Sequence, residues 1–492
     1  MSRVAVVGAG LAGLSAASAL VADGHDVVVL EREAVPGGRA GVLEQDGFTF
    51  DTGPTVLTMP HLLDRAFARL GADRAQELRL RRLDPAYRAV YSDGSELRVR
   101  AELDDQVAEL RRSGLEADAR AFPGFVAWLE ALYEAEMPHF IERNLGSPLD
   151  LVTRPMAAAR LLRLGGFGRL ENAVRRRISD PRLVRLLTFQ AMYAGLAPRQ
   201  ALAIYAVITY MDCIRGVYFP EEGGMHGVPV ALARVLERAG ADLRYEAPVT
   251  ELITDASGRL AGVTAAGERI AADAVVVTAD LPTAYRQFLP GLTPPRALTD
   301  AQWSPSALVW HVGVRGTPGP SVAHHNIHFA DAWEASFEQL ITRKERMADA
   351  SRLVTVPSLH APGAAPPGHS ALYVLEPVPH LGGRIDWAKE AGPARERLHA
   401  FLIAHGYPGD VVTERLVTPA DWAAEGLAMG TPFSLAHTFF QTGPFRPANV
   451  EPRVPGVFFA GSGTTPGVGV PMVLVSGELA AERVRVYLGG RA

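Results

Sequence analysis

The chain is 492 residues long, too long for one simple core, so two or three domains are expected. Its residues are 48% hydrophobic and 21% charged, with 48 Gly and 36 Pro in no fixed period, which excludes a fibrous or disordered chain. A net charge of −5 leaves no basic footprint for nucleic acid, and the single cysteine, Cys213, excludes an internal disulfide and suits a reducing, cytoplasmic setting.

The opening MSRVAVVGAG runs straight into a strand and a glycine turn, unlike a secretory signal. Residues 4–7 are a continuous apolar run, as expected for a parallel strand buried on both faces. Residues 11–22 form an Ala/Leu-rich helix closed by Gly24, and 26–30 (DVVVL) give the next strand. Residues 62–86 read as helix and then turn. The stretch 87–100 reads as a hairpin around Asp93-Gly94. Residues 101–213 are mostly helical in pattern, with breaks near Gly165-Gly166 and at Pro181. Within them 201–211 is the longest apolar run, either a buried helix or a channel wall. It is too short for a bilayer, which needs about 20 residues, so no membrane span is expected.

After Gly223-Gly224 a helix leads into strands at 243–253, 260–265 and 274–278. Residues 286–450 mix strands, loops and helices, with 361–368 (APGAAPPG) a loop. Residues 457–460 form a strand, followed by a glycine-rich turn and a helix over 471–487. The pattern predicts a discontinuous dinucleotide-binding domain (1–75, 215–285 and 450–492) with a substrate-binding domain (76–214 and 286–449) inserted between its pieces.

Gly8-x-Gly10-x-x-Gly13 joins the first strand to the first helix, whose opening residues are Leu11 and Ala12. The first glycine permits the turn, the second lets backbone approach a pyrophosphate, and the third allows close strand–helix packing. Glu31 ends the second strand, where a carboxylate can accept from both ribose hydroxyls. Arg32-Glu33 and then Pro36-Gly37-Gly38-Arg39-Ala40 follow. Two glycines allow close passage past a ligand, and Arg39 can pair with phosphate in a fork. A simple NAD domain does not require this second element; it resembles the double-glycine stretch of flavoproteins related to amine oxidases. At the other end, Gly461-Ser462-Gly463 closes a strand as needed near a ribityl chain. Gly469, Val470 and Pro471 open a helix whose free N–H groups could stabilise charge on a reduced flavin. Ser462 stands where many such flavoproteins carry Asp.

Together with Gly47-Phe48-Thr49-Phe50-Asp51-Thr52-Gly53-Pro54-Thr55, Val217-Tyr218-Phe219-Pro220, Gly223-Gly224-Met225-His226 and the terminal AGSGTTPGVGVPMVLVSGELAAER, these elements resemble the bacterial, lycopene-forming phytoene desaturases of the carotenoid/retinoid oxidoreductase family. The resemblance spans nearly the whole chain, and its terminal Gly-Thr-x-Pro-Gly-x-Gly-Val-Pro segment is its most specific part. It implies an α/β, glutathione-reductase-like FAD-binding Rossmann domain with an inserted mixed α+β substrate domain and a tunnel for a long polyene. It implies FAD as cofactor, held by the glycines, Leu11, Ala12, Glu31, Arg32, Gly38, Arg39 and the C-terminal loop. Pro54 and Thr55 would lie near the isoalloxazine ring and the Val249 backbone near the adenine. Departures are Ser462 where Ala is frequent and the Glu221-Glu222 pair before the glycines.

The implied reaction moves a hydride from an allylic C–H of phytoene to flavin N5 and loses a proton from the neighbouring carbon. The cofactor carries the chemistry, so no catalytic acid or base is assigned. His324-His325-Asn326-Ile327-His328 matches no metal-ligand spacing and reads as ordinary polar or surface histidines, and His226 as a hydrogen-bonding residue. Nine arginines between Arg154 and Arg185 face only Glu171 and Asp180, a local balance of +7. With interleaved Leu, Phe and Ile they suggest either a solvated face or a peripheral contact with the cytoplasmic membrane face. The electron acceptor would be oxygen or a quinone. Competing readings are a desaturase of another carotene or step number, an amine oxidase, and a non-enzymatic prenyl-lipid carrier.

Overall fold

Val-rich runs become strands here because both faces of one sheet are covered. The computed structural model describes residues 2–151 and 153–490, so positions 1 and 491–492 of the expected dinucleotide-binding pieces lie outside the described residues. Five parallel strands lie in the order Val457–Phe459, Ala274–Val277, Arg3–Val7, Asp26–Leu30, Asp242–Arg244. In register, Val4 pairs with Val27 on one side and Ala274 on the other. Val4 and Val6 face one apolar cluster and Ala5 and Val7 another, which is why the run shows no alternation. A three-stranded antiparallel sheet, Val249–Thr254, Leu260–Ala265 and Glu268–Ala271, shares the second cluster.

The helices Leu11–Ala22 and Val470–Gly489 cross at the first cluster. Their approach depends on Gly477, where a Cβ would overlap the Ala12 carbonyl oxygen. Sequence positions more than 450 apart are thereby locked together, and Ser15 Oγ donates to the Leu474 carbonyl at 2.7 Å.

The second large sheet has seven strands, in the order Asp410–Val417, Ser306–Arg315, His369–Val378, Arg352–Thr355, His325–His328, Tyr87–Val90, Glu96–Val99. All neighbours are antiparallel except Tyr87–Val90 and His325–His328. The expected hairpin at Asp93-Gly94 forms its edge. Helices between 103 and 214, chief among them Glu116–Glu136, cover the space between this sheet and the parallel one.

Two expectations are corrected. The stretch 243–253 is not one strand region: Asp242–Arg244 joins the parallel sheet, while Val249–Thr254 joins the three-stranded one. The break holds Glu246 at φ +50° and Pro248, which has no N–H to give a ladder. The run 201–211 is buried, but as a 3-10 turn, a short α segment and a π turn rather than one regular helix.

Candidate functional site

The Rossmann turn is built by exclusion. A Cβ at Gly13 would overlap the Gly8 carbonyl oxygen, so the helix can sit this close to its strand only with hydrogen there. Gly10 and Gly461 show the converse. A Cβ on either would stay 3.8 Å or more from any protein atom, although Gly461 is buried. Neither position is closed by an overlap, and Gly461 lines the cavity that opens here. Both flanking helices start without a side-chain cap, at Gly10 and at Gly469, so their first-turn N–H groups are free for a ligand.

Arg39 projects into the same space. Its Nη1 donates to the Pro432 carbonyl at 2.6 Å and its Nη2 to Ser462 Oγ at 2.7 Å. No carboxylate pairs with it among the described residues. Burial pulls its pKa below the usual guanidinium value, and the charge of Asp280 opposes that only in part. A desolvated cation without its own anion fits a diphosphate well. Glu31 is buried at the strand end, where Oε2 accepts from Ala9 N–H at 2.6 Å and Oε1 from Glu33 N–H at 3.0 Å.

The C-terminal loop is held from beneath. Buried Arg446 donates to the carbonyls of Ser462 at 2.6 Å and Thr464 at 3.0 Å. Asn449 Nδ2 donates to Thr464 Oγ1 at 3.2 Å and Ser476 Oγ at 3.0 Å. Neither residue stood out in the sequence, since each serves a loop whose own glycines carry the pattern. His226 joins two more loops: its N–H donates to Asp51 at 3.1 Å and its Nε2 lies 2.8 Å from the Pro36 carbonyl. Burial pushes the Asp51 carboxyl up to about 6, with the N–H groups of Met225 and His226 pulling the other way.

From this cradle runs a cavity of about 660 Å³, within the range of small-molecule sites. Leu11, Ala12, Arg39, Pro54, Thr55, Gly461, Ser462, Gly469, Val470 and Pro471 all line it. Gly8, Gly10, Gly13, Glu31 and Gly38 are not among its lining residues. Arg32 does not reach it; its side chain is exposed and paired with Glu33 at 2.9 Å. Val249 also lies off the wall, and its carbonyl accepts from Gln287 at 3.1 Å. The remaining wall is mostly carbon: Ile141, Leu161, Ile204, Ile208, Met211, Phe329 and Phe433 are typical. The run 201–211 thus lines the cavity and is buried at once. A neighbouring cavity of about 750 Å³ shares Pro305, Leu340, His437 and Phe439 with the first.

The histidine cluster is not at the surface. His324, His325 and His328 are all buried; His325 Nε2 lies 2.9 Å from the Thr55 carbonyl and His328 Nε2 3.0 Å from the Tyr407 hydroxyl. Burial lowers the pKa of His325 to about 4 and of His328 to about 3. Among the described residues no cluster suited to a metal ion occurs. Nor is any described helix long and apolar enough to cross a membrane. The basic segment offers less charge than its composition suggests: Arg160, Arg175 and Arg182 are paired with Glu134, Glu171 and Asp180, and Arg177 lies over the Trp128 ring.

Comparison with known proteins agrees with this geometry. Residues 11–485 match the model of the flavin containing amine oxidoreductases. The chain is 49% identical to a phytoene dehydrogenase of Streptomyces griseus, over 98% of this chain and 95% of that one. It is 36% identical to a zeta-carotene-forming phytoene desaturase of Myxococcus xanthus, over 99% and 94%. A solved oxidoreductase of Methanosarcina mazei shares the fold, with a TM-score of 0.65 at 18% identity over 98% of this chain and all of that one.

Fold and site therefore define an FAD-dependent oxidoreductase, with a Rossmann cradle opening onto an apolar chamber. The expected glutathione-reductase-like α/β class with an inserted α+β region holds. More narrowly, the chain belongs to the flavin containing amine oxidoreductase family, with the bacterial phytoene desaturases as its branch.

Proposed function

We propose that this enzyme desaturates phytoene toward lycopene, using FAD as oxidant. The observation that carries the reading is the carbon-lined cavity that begins at the cofactor cradle. An amine oxidase would need a site suited to a polar, cationic substrate. A chamber walled by Ile, Leu, Met and Phe suits a long hydrocarbon instead, and excluding water protects a developing positive charge on a polyene from capture. Bound FAD would supply the hydride acceptor, and the chain's own residues would bind, orient and keep the site dry. In this reading Arg39 and the Gly10 helix start hold the pyrophosphate, Glu31 the ribose, and the Gly469 helix start the flavin's pyrimidine edge. Glu222 is exposed and paired with Arg79 at 3.2 Å, so the glutamate pair at 221–222 stands apart from the chamber.

The substrate is water-insoluble, so it must enter from lipid. Leu149, Met156, Leu162, Phe167 and Phe440 are exposed, Met156 by 87%. They lie beside the wall residues Ala158, Leu161, Phe439 and Phe445, or are themselves wall residues, as Phe167 is. This rim supports peripheral attachment to a bilayer surface through apolar side chains, with arginine charge as a lesser contribution. Reoxidation falls to oxygen or a membrane quinone, and comparing rates in air with anaerobic rates on a soluble quinone separates them.

The test is direct. FAD-loaded protein given phytoene in liposomes should yield the long-wavelength bands of lycopene. Arrest at ζ-carotene, or action only on a more unsaturated carotene, would correct the product. No conversion of any carotene would end the desaturase reading.

A further inference from the structure

Desaturation removes two hydrogens from adjacent carbons, and only one leaves as hydride. The other leaves as a proton, and a carbon-lined chamber offers little water to receive it. Two carboxyl side chains stand in the chamber wall, Glu136 and Asp212, both buried and neither with a salt-bridge partner among the described residues. The FAD-binding residues described above use neither.

Their surroundings differ. Glu136 lies at the end of the Glu116–Glu136 helix beside Phe140 and Ile141, and its Oε1 has no hydrogen-bond partner. Burial alone holds it well above the usual carboxyl range, so it stays protonated. Asp212 directly follows the apolar run at 201–211, and its Oδ2 accepts a hydrogen bond from Tyr87 at 3.2 Å. Burial pushes its pKa up to about 7, and the Tyr87 bond pulls it down. A group balanced near neutrality can take a proton and return it. Tyr193, also a wall residue, and Cys213 are the other titratable groups facing Asp212.

Position favours Asp212 as well. The Tyr87 ring lies 5.4 Å from that of His325, whose Nε2 is 2.9 Å from the Thr55 carbonyl. Thr55 lines the chamber next to Pro54, so Asp212 shares a wall with the segment that meets the cradle.

We propose that Asp212 accepts the proton released in each desaturation, with Tyr87 as the residue that positions it. The proposal rests on the desaturase reading above. For each new double bond, one allylic C–H breaks and its hydrogen leaves with the electron pair to FAD. The adjacent C–H breaks the other way: its electrons form the C=C and its proton bonds to an Asp212 carboxylate oxygen. The polyene loses two electrons, FAD gains them, and Asp212 must return one proton to solvent before the next turn.

The test uses FAD-loaded full-length protein and the variants Asp212→Asn, Tyr87→Phe and Glu136→Gln. Flavin absorbance checks folding and loading. Infrared spectroscopy of the protonated carboxyl band, titrated without substrate, should show a group near pH 7 that Asp212→Asn removes. Desaturation by that variant should slow on the order of 100-fold or more. Tyr87→Phe should move both the infrared midpoint and the acidic limb of the rate profile to higher pH, because the ionised carboxylate loses a donor; a merely structural tyrosine would leave both in place. If Asp212→Asn keeps the wild-type rate and profile, or Glu136→Gln is the slower of the two, the proposal is overturned while the desaturase reading stands. If wild-type protein converts no carotene, that reading falls and takes the proposal with it.

Discussion

The parallel sheet and the seven-stranded sheet solve different problems. Around the parallel sheet, function depends on where side chains cannot be: a methyl at Gly13 strikes the Gly8 carbonyl, and one at Gly477 strikes that of Ala12. Around the seven-stranded sheet, function depends on what the side chains are, an apolar wall with neutral histidines packed behind it. The first is a geometry of backbone against ligand and tolerates no added volume. The second is a matter of burial, and burial makes its titratable groups sensitive to pH. Each part should therefore fail in its own way.

The largest effect expected is at the third Rossmann glycine. Gly13→Ala should leave less than about a tenth of the bound flavin after gel filtration, because the helix must retreat from the strand that supports the pyrophosphate. Retention of full flavin would break the contrast between the two parts. Next comes Arg39→Ala, which removes a buried cation facing the cradle. The flavin dissociation constant should rise by about two orders of magnitude, in line with truncating one partner of a desolvated charge pair. Arg39→Lys should recover only part of that, since an ammonium cannot make the fork. Fluorescence titration of apoprotein with FAD measures all three.

The same contrast explains what the sequence disclosed. Gly8, Gly10, Gly13 and Arg39 were legible because glycine reports backbone geometry directly and the pattern is local. The chamber was legible only as an apolar run at 201–211, whose wall partners come from residues as distant as Phe433. The break between Asp242–Arg244 and Val249–Thr254 was missed because the two strands belong to different sheets, and nothing local states that. The histidines at 324–328 were misjudged as polar or surface groups, because their burial comes from strands at 87–90 and 352–355 on either side. Asp212 did leave a signal, an acid at the end of an apolar run.

Mild acid should separate the two parts. His311, His324, His325, His328 and His437 are neutral in the fold because burial lowers their pKa, to about 3 for His311 and about 4 for His325. Unfolded, they titrate near 6.5, so unfolding takes up protons below that pH and stability is lost as pH falls toward 4. Asp212 and Glu136 work the other way: protonated in the fold and ionised when unfolded, they favour the fold at low pH and lose that contribution as pH rises. Around the seven-stranded sheet the lowered histidines, His360 and His380 among them, outnumber the two carboxyls. On the cradle side the two signs offset each other, since Asp51 and Asp280 are raised while half-buried His61 and His437, which meets the Pro466 carbonyl of the C-terminal loop, are lowered. Between pH 7 and 5 the melting temperature of the flavin-free protein should fall by roughly 5 °C. Hydrogen exchange, corrected for its intrinsic pH dependence, should place the loosening in strands 306–315 and 325–328 rather than in 3–7. Loosening of the parallel strands first would reverse the assignment.

The smallest effect expected is at the outer rim, where the two kinds of side chain compete. Phe440 is 73% exposed, its ring packed edge-on against those of Phe439 and Phe445, whereas Arg160 is paired with Glu134 at 2.7 Å. Fully burying a large apolar side chain is worth about 1.5–3 kcal/mol, and a ring at a bilayer interface gains only part of that. Phe440→Ser should therefore weaken binding to phosphatidylcholine vesicles about two- to five-fold. Arg160→Gln should matter less than about two-fold even on anionic vesicles, because a surface cation already paired has little attraction left to give. Flotation with both vesicle types measures the pair, and bound flavin serves as the folding control. A larger loss for Arg160→Gln than for Phe440→Ser would make charge, not apolar contact, the force that brings this chamber to the lipid.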